Sequence, residues 1–446
     1  MKLKWQMMNS KQKYALFSAG SLLFIFMILA AFTYIHPLSV QWDKAVAYTR
    51  ASLHKYVPMT GEDVQNIRQM MTADPSTSRT IMWESVIPEE EALIEYRQVG
   101  QPQDAIETAK AKRKTFTDDG VSRYEYEVTL TGLSKNTEYQ YRIGAGDKRS
   151  QWMPFKTAGI GDFTAIIFPD SQSANYKGWA ELVKTAWAQN PQAAFFANMG
   201  DLVDNGEMAS QWNAWFSATE DMNKVIPFAG VMGNHETYTL DWKVRPPKAY
   251  LNLFSFPSNG YKQYQNQFYS FDYNGVHFVA LDTQAEEETN EPQLLTDEVA
   301  WLKKDLASTK MKWKVVLMHK DVFQYAFANQ PGRDNSFSPI GKLFMPIFDE
   351  YKVDLVLSAH LHTYRRRGHV KNFKRDASGP SYILTGVAGD VRYVGLWADH
   401  PLDIKKSPYY NEANYLVLKK ANAALIISAY RPDGTLFDSE TITQGL

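Results

Sequence analysis

Side chains of types that can bind metal ions follow five short apolar runs of the chain, which cover residues 164–168, 193–197, 225–231, 314–318 and 353–357. In chain order, the side chains are Asp170, Asp201, Asn234, His319, His360 and His362. Carboxylate, amide and imidazole groups together suit divalent transition-metal ions. The carboxyl ends of the strands of an open α/β sheet form one edge, so we expect these side chains to meet in one cleft.

The chemistry of two adjacent cations gives Asp201 a particular place in this set. Two divalent ions about 3.5–4 Å apart repel each other, and a carboxylate shared between them offsets the repulsion. We expect Asp201 to be that bridge, and Asn234 to add a neutral oxygen ligand. A water between such ions loses its proton near neutral pH and becomes a nucleophile.

Two further residues directly follow Asn234 and are expected to serve catalysis. His235 is placed to stabilise phosphate oxygens or to protonate a leaving group, and Glu236 is expected to orient the His235 ring. Glycines at 200 and 233 precede these motifs, and their backbone freedom would allow sharp turns beneath a crowded site.

The composition limits which ligands and partners are available. The 446 residues contain no cysteine, which excludes disulfides, thiolate metal sites and a cysteine nucleophile. Any metal must therefore be bound through oxygen and imidazole groups. The net charge is -1, so nothing in the overall charge predicts a nucleic-acid partner. The length predicts two domains and an accessory segment.

The accessory segment is at the N-terminus, where Lys2, Lys4, Lys11 and Lys13 precede an uncharged run over residues 15–35. As a helix this run would span roughly 31 Å, the thickness of a bilayer core. We therefore predict a cytoplasmic tail and transmembrane signal-anchor over 1–36, with the remaining chain outside the cell. The alternative is a cleaved signal peptide and a secreted protein. Residues 37–62 are interpreted as a linker or stalk.

Residues 63–158 are predicted to form an all-β sandwich. Apolar residues alternate with polar ones over 124–130 and 139–143, and a turn cluster separates the two runs. The segment 133–141 resembles the corner of a fibronectin type III domain, in which a tyrosine bonds back across the turn. Trp83 would be its core tryptophan.

From residue 162 to 446, apolar strand patterns alternate with helical ones, which indicates an α/β domain. The ordered motifs Gly200-Asp201, Gly233-Asn234-His235-Glu236 and His360-Leu361-His362, together with Asp170 and His319, resemble the calcineurin-like metallophosphoesterase superfamily. With the preceding sandwich, the chain resembles the purple acid phosphatases.

The resemblance has consequences for the fold and for the ligands. It implies a four-layer αββα sandwich. It also implies two sets of ligands that share Asp201. Asp170, Asp201 and His362 would bind one metal, and Asp201, Asn234, His319 and His360 would bind the other.

Two positions depart from the family pattern. Purple acid phosphatases have a tyrosine ligand three residues after the bridging aspartate, where this chain has Asp204. Calcineurin-type members have a histidine two residues after the first aspartate, where this chain has Gln172. We therefore expect two divalent ions (Mn, Fe or Zn) rather than a stable ferric ion. Gln172 or Asp204 is expected to act as a weak ligand or as a neighbour of one. Arg366, in the run 363–366, is a candidate for a phosphate or a structural contact.

The expected activity is metal-dependent hydrolysis of phosphate monoesters or diesters, with a small phosphorylated substrate. The alternative is a catalytically weakened binding or sensor protein of the cell surface on the same fold, which the departures at Gln172 and Asp204 favour and the retention of His235 opposes. The sequence predicts no particular substrate and no oligomeric state.

Overall fold

The computed structural model describes residues 64–85, 88–284, 291–328, 336–409 and 412–444. The predicted anchor over 1–36 and the linker over 37–62 lie outside these ranges. Within them, no helix is long and apolar enough to cross a membrane.

The N-terminal part of the described chain is a β-sandwich, as predicted. Its strands are β1 (Val64–Met70), β2 (Arg79–Ser85), β3 (Ala92–Gln98), β4 (Glu107–Lys110), β5 (Lys112–Asp118), β6 (Val121–Leu130), β7 (Glu138–Ala145), β8 (Lys148–Arg149) and β9 (Met153–Lys156). One layer contains β1, β2, β6 and β5, and the other contains β4, β3, β7 and β8, with β9 paired to β7.

The sandwich core has the two features expected of it. Trp83 is buried and stacks on Tyr126, with ring centroids 5.6 Å apart. The Tyr139 hydroxyl accepts a hydrogen bond from the backbone N–H of Ser134 at 2.9 Å, across the turn that precedes β7. The predicted tyrosine corner is therefore present.

The second part of the chain alternates strands and helices. Its strands are β10 (Phe163–Phe168), β11 (Phe195–Asn198), β12 (Pro227–Gly230), β13 (Tyr269–Tyr273), β14 (Val276–Leu281), β15 (Trp313–Met318), β16 (Phe323–Gln324), β17 (Ser336–Phe337), β18 (Leu355–Ser358), β19 (Tyr364–Lys371), β20 (Lys374–Arg375), β21 (Ser381–Thr385), β22 (Lys405–Lys406), β23 (Tyr415–Ala421), β24 (Ala424–Tyr430) and β25 (Leu436–Thr443). Its helices are α1 (Lys177–Gln189), α2 (Ala209–Asn223), α3 (Lys248–Leu253), α4 (Leu294–Ser308) and α5 (Pro339–Glu350).

Two sheets pack face to face between two layers of helices. The first sheet has the order β25-β24-β23-β10-β11-β12-β1-β2-β6-β5, and the second has the order β13-β14-β15-β18-β21-β19-β20. One apolar core joins the inner faces of both sheets and includes Trp179 of α1 and Trp215 of α2. Another lies between the second sheet and the outer helices, where Leu302 of α4 and Phe344 of α5 are buried. This is the αββα arrangement that the resemblance implied.

The sandwich and the α/β part share a sheet. Strand β1 runs parallel to β12, with Gln69 opposite Pro227 and Met70 opposite Phe228. The buried Arg68 guanidinium also donates to the carbonyl oxygen of Leu253 at 2.8 Å. The sandwich is therefore hydrogen-bonded directly to the sheet that carries half of the site described next.

Candidate metal centre

The predicted ligands lie at the carboxyl ends of parallel strands. Strands β10, β11 and β12 are parallel neighbours in the first sheet, and β15 and β18 are parallel neighbours in the second. Asp170, Asp201 and Asn234 follow the first three strands, and His319 and His360 follow the other two. Since the two sheets are packed together, their strand ends supply both sides of one cleft.

Two groups of ligand atoms meet in this cleft, and both include Asp201. One group is Asp201, His319 and His360, and the other is Asp170, Asp201 and His362. Within each group the ligand atoms lie within 4.8 Å of one another. This sharing of one carboxylate is the arrangement predicted for a bridging ligand.

Asn234 belongs to the first of these groups by contact. Its Oδ1 lies 3.1 Å from His319 Nε2, and His360 Nδ1 lies 3.2 Å from the same nitrogen. Asp201 Oδ2 is also 3.2 Å from His319 Nε2. Four potential donor atoms for a cation therefore face one small volume.

Hydrogen bonds to the backbone fix which nitrogen of two histidines faces the cleft. His319 Nδ1 is 2.9 Å from the carbonyl oxygen of Met199, and His362 Nδ1 is 2.9 Å from that of Val391. A carbonyl oxygen only accepts, so Nδ1 carries the proton in each ring. Nε2 of each ring therefore faces the carboxylates, and this is the orientation that a metal ligand requires.

The backbone is strained where it carries the ligands. Asp201, His360 and His362 have φ angles of 48°, 73° and 49°, in the left-handed region that residues with a Cβ seldom adopt. A Cβ on Gly200 would lie 2.5 Å from His319 Nδ1, and one on Gly233 would collide with Asp201. Both glycines are therefore required because a Cβ would not fit, whereas the expected backbone freedom is used at Gly200, whose φ is 96°, and not at Gly233.

Charges in the cleft shift the pKa values of its groups in opposite directions. Burial alone would raise the pKa of Asp201, but the histidines at 319, 235 and 360 hold it well below its usual range. Burial alone would lower the pKa of His319, but Asp201 and Asp170 raise it to about 9. Burial and the neighbouring His319 lower the pKa of His360 to about 3. The carboxylates thus attract positive charge strongly, which suits a cation site.

The ring of His235 lies beside the cleft and is held by Asp204. Its Nδ1 is 2.6 Å from the carbonyl oxygen of Asp204 and 3.8 Å from the Asp204 carboxylate. Its backbone N–H donates to Asp201 Oδ1 at 2.9 Å. Burial opposes the charged form of His235, but the charge of Asp201 and the contacts with Asp204 raise its pKa above the ordinary value.

The expectation that Glu236 orients the His235 ring is wrong. The Glu236 carboxylate accepts backbone N–H groups of Asp201 at 3.0 Å, Leu202 at 2.8 Å and Gly233 at 2.7 Å. These N–H groups lie in two tight turns that cannot pair them with other backbone, so a buried carboxylate satisfies them. Burial and the charge of Asp201 raise the pKa of Glu236 to about 7.

The other three candidates differ in their environment. Gln172 is buried, and its amide oxygen has no hydrogen-bond partner within the described ranges, which fits a weak ligand. Asp204 is partly exposed, and its main contact is with His235. Arg366 forms two hydrogen bonds to Asp438, at 2.8 and 3.1 Å. The Arg366 guanidinium is therefore engaged by strand β25, which favours the structural contact over the phosphate contact.

Sequence reasoning missed the segment 387–397 and the ring of Tyr238. Tyr393 stacks on His362 with centroids 4.4 Å apart, and the Tyr238 hydroxyl accepts from the Asn234 amide at 3.2 Å. A signal for the first was available, because the segment follows β21, a strand parallel to β18. The strand-end rule that found the ligands therefore applied there as well.

Two family models match consecutive parts of the chain. Residues 64–157 match the purple acid phosphatase N-terminal domain, and residues 155–364 match the calcineurin-like phosphoesterase model. The match to the second model ends at Tyr364, after His362.

Curated relatives include several plant enzymes. Purple acid phosphatase 23 of Arabidopsis thaliana is 28% identical over 43% of this chain and 40% of its own length. Purple acid phosphatase 15 of the same plant is 24% identical over 65% of this chain and 58% of its own length. Phosphoenolpyruvate phosphatase of Allium cepa is 27% identical over 64% and 61%. The chain thus spans about two fifths to three fifths of these relatives.

Two solved structures share the fold. The purple acid phosphatase PPD1 from yellow lupin (Lupinus luteus) seeds superposes with a TM-score of 0.66 at 18% identity, over 85% of this chain and 74% of that one. The structure of PhoD superposes with a TM-score of 0.59 at 12% identity, over 85% and 92%. At such identities the likeness establishes the fold alone.

Proposed function

We propose that the chain, which matches the calcineurin-like phosphoesterase model over 155–364 and the purple acid phosphatase N-terminal domain over 64–157, is a metal-dependent hydrolase of phosphate monoesters. The reaction would take place at a site for two divalent ions. The observation that carries the proposal is the sharing of Asp201 by the two groups of ligand atoms.

The donor set fits two ions of the Mn, Fe or Zn type. Asp170, Asp201 and His362 would hold one ion, and Asp201, Asn234, His319 and His360 the other. Oxygen and imidazole ligands in a buried cleft suit these metals. When bound, the ions would supply positive charge for the phosphate oxygens and lower the pKa of water.

His235 is the residue proposed to give a proton to the leaving group. The carbonyl oxygen of Asp204 occupies Nδ1, so the protonated ring has its Nε2–H available for an oxygen in the cleft. The raised pKa of the ring keeps more of it protonated near neutral pH than an ordinary histidine. The residue that carries the proton donor is linked directly to the predicted bridging ligand, because the backbone N–H of His235 donates to Asp201 Oδ1.

The preference for monoesters is supported by the names of the relatives, which are phosphatases. The substrate would be a small phosphorylated molecule. We further propose that the N-terminal segment anchors the chain in the cell membrane with the hydrolase outside, or is cleaved to release it. Sequencing the mature N-terminus distinguishes the two: a start at Met1 or Lys2 supports the anchor, and a start after residue 30 supports secretion.

The test of the proposed function uses the purified full-length chain. Metal content is measured by mass spectrometry, and hydrolysis of phenyl phosphate and of diphenyl phosphate is assayed with and without chelator. We expect about two metal ions per chain and loss of activity with chelator that Mn, Fe or Zn restores. Asp201→Asn and His360→Ala should lose metal and at least about 100-fold in kcat/KM, since each removes a ligand.

Glu138→Gln is the matched control, because its side chain is 67% exposed and lies on the sandwich. It should keep both the metal and the activity. Hydrolysis that survives both the chelator and Asp201→Asn would overturn the two-metal proposal. Bound metal without turnover of either ester would favour the weakened sensor protein instead.

A further inference from the structure

The side chains of Tyr238 and Trp242 form an aromatic rim beside His235. We propose that this aromatic rim binds a flat apolar ring on the leaving group of the substrate. The inference rests on the proposed function and makes it more specific, since it names phosphate esters of ring-bearing alcohols as the preferred class.

The rim is in contact with the proposed proton donor. The ring centroid of His235 lies 5.2 Å from that of Tyr238 and 6.0 Å from that of Trp242, and both pairs meet edge to face. Tyr238 and Trp242 are themselves 5.8 Å apart. A leaving group that takes a proton from His235 must lie next to this ring, so a flat ring attached to the leaving-group oxygen can extend to the rim.

The side chain of Trp242 is unusually exposed for a tryptophan. Its side chain is 56% accessible, and Leu240 and Val244 of the same turn are exposed as well. Apolar surface in water is unfavourable, and an exposed apolar patch commonly marks a place where a ligand is bound. Beside a cleft of charged groups, the fitting occupant is the apolar part of a molecule whose phosphate enters the cleft.

The turn that carries Trp242 is held in place from several sides. Trp242 has a φ of 62° and donates its N–H to the carbonyl oxygen of Thr239 at 2.9 Å. The Asn205 amide donates to the same carbonyl at 2.6 Å. Arg245 forms a two-pronged ion pair with Asp118 of the sandwich, at 2.7 and 2.6 Å.

Because these contacts fix the backbone of the turn, the turn loses little freedom when a ligand stacks on Trp242, which favours binding. The strained backbone at Trp242 is of the kind found at ligand clamps. The contact between Arg245 and Asp118 also gives the sandwich a role, because a sandwich strand supports the turn that carries the rim.

A second apolar surface borders the cleft. Tyr393 stacks on His362 and is 37% exposed, and the adjacent Val394 is 56% exposed. His235 and His362 contact different predicted ligands, Asp201 and Asp170. Apolar side chains therefore lie near both groups of ligand atoms, while the rim is the part that touches the proton donor.

The test compares ligands that differ only in the ring. Benzyl and ethyl phosphate have alcohol leaving groups of similar acidity, and benzyl- and ethylphosphonate are the corresponding phosphonates, which lack the ester oxygen and cannot be hydrolysed. With the metal-loaded full-length chain, calorimetry measures the dissociation constants of the phosphonates, and kcat/KM is measured for the esters. We expect the benzyl ligand to be favoured about tenfold in both measurements, as a stacked aromatic contact would provide.

The variants separate the rim from the rest of the site. Trp242→Ala should abolish most of the benzyl preference, while Trp242→Phe should keep much of it because a ring remains. Tyr261→Ala is the control, because Tyr261 is 42% exposed and its ring packs edge-on against Tyr264 rather than against His235. It should leave the benzyl preference of the wild type in place.

The outcomes keep the inference distinct from the proposed function. Equal affinity of the wild type for both phosphonates would overturn the proposal that the rim binds a ring of the ligand. A benzyl preference that survives Trp242→Ala would overturn it as well. Failure to hydrolyse either ester counts against the proposed function, and the phosphonate measurement still decides the inference.

Discussion

The carboxylate of Glu236 accepts the backbone N–H of Asp201 at 3.0 Å, so the glutamate holds the predicted bridging ligand in place. With Leu202 and Gly233 it also closes the turns on either side. We predict that Glu236→Gln lowers both metal content and melting temperature, because an amide NH2 would face backbone donors. A buried N–H left without an acceptor costs about 1–3 kcal/mol.

Glu236→Asp is the matched variant, since it keeps the charge and shortens the reach. It should retain more metal and a higher melting temperature than Glu236→Gln. Full metal content and an unchanged melting temperature in Glu236→Gln, together with a large fall in kcat, would instead support the catalytic role expected from the sequence.

His235→Asn is predicted to separate proton donation from metal binding. An ester with a poor leaving group needs a proton in the transition state, so ethyl phosphate should lose about 10²–10⁴-fold in kcat. 4-Nitrophenyl phosphate, whose leaving group is stable as an anion, should lose much less. Metal content should match the wild type. An equal loss for both esters would show that His235 binds phosphate oxygens rather than donating a proton.

The positions of the ligands could be predicted because each depends on local sequence. A short apolar run predicts a buried strand, and polar residues after it predict the strand end. Asp170, Asp201 and Asn234 followed this rule and meet in the structure. The rule uses only local sequence, and the topology of parallel strands then brings the residues that it identifies together in one cleft.

The role of Glu236 could not be predicted in the same way. It depends on N–H groups that become unpaired only when the turns around Asp201 and Gly233 come together. The pairing of Arg366 with Asp438 joins residues 72 positions apart. The alignment of β1 with β12 is also long-range, and each strand alone gives no indication of its partner. The missing information was in each case a contact between distant segments.

Arg366→Gln is predicted to reduce stability and leave catalysis nearly unchanged. The Arg366 and Asp438 side chains are 17% and 7% exposed, so the variant leaves a mostly buried carboxylate without its charged partner, although the Tyr364 hydroxyl still donates to it. A loss of about 2 kcal/mol is expected for breaking such a pair. Thermal unfolding and kcat/KM for phenyl phosphate measure the two effects, and kcat/KM should stay within about twofold.

Asp438→Asn serves as the second half of a double-mutant cycle with Arg366→Gln. The two changes should be less than additive in melting temperature, because they disrupt one contact. A rise in KM with Arg366→Gln that Asp438→Asn does not reproduce would contradict the structural role and support a phosphate contact.

His277 lies between two carboxylates, with Nδ1 2.7 Å from Asp272 and Nε2 2.8 Å from Asp305. Burial alone would lower its pKa, but the hydrogen bonds and charges of Asp272 and Asp305 raise it to about 9. The ordinary value near 6.5 applies to the unfolded chain. The stabilisation is therefore fully present below pH 6.5 and is lost as the pH rises to 9, a change of about 3 kcal/mol.

His277→Gln is predicted to show this through the melting temperature. The wild type should exceed the variant most at pH 6.5, and the difference should shrink steadily up to pH 9.5, since neutral histidine and glutamine are then alike in charge. His369→Gln is the control, because its Nδ1 contacts the carbonyl oxygen of Gly379 rather than a carboxylate. A difference for His277→Gln that is constant between pH 6.5 and 9.5 would mean that packing, and not the charge between Asp272 and Asp305, stabilises this hairpin.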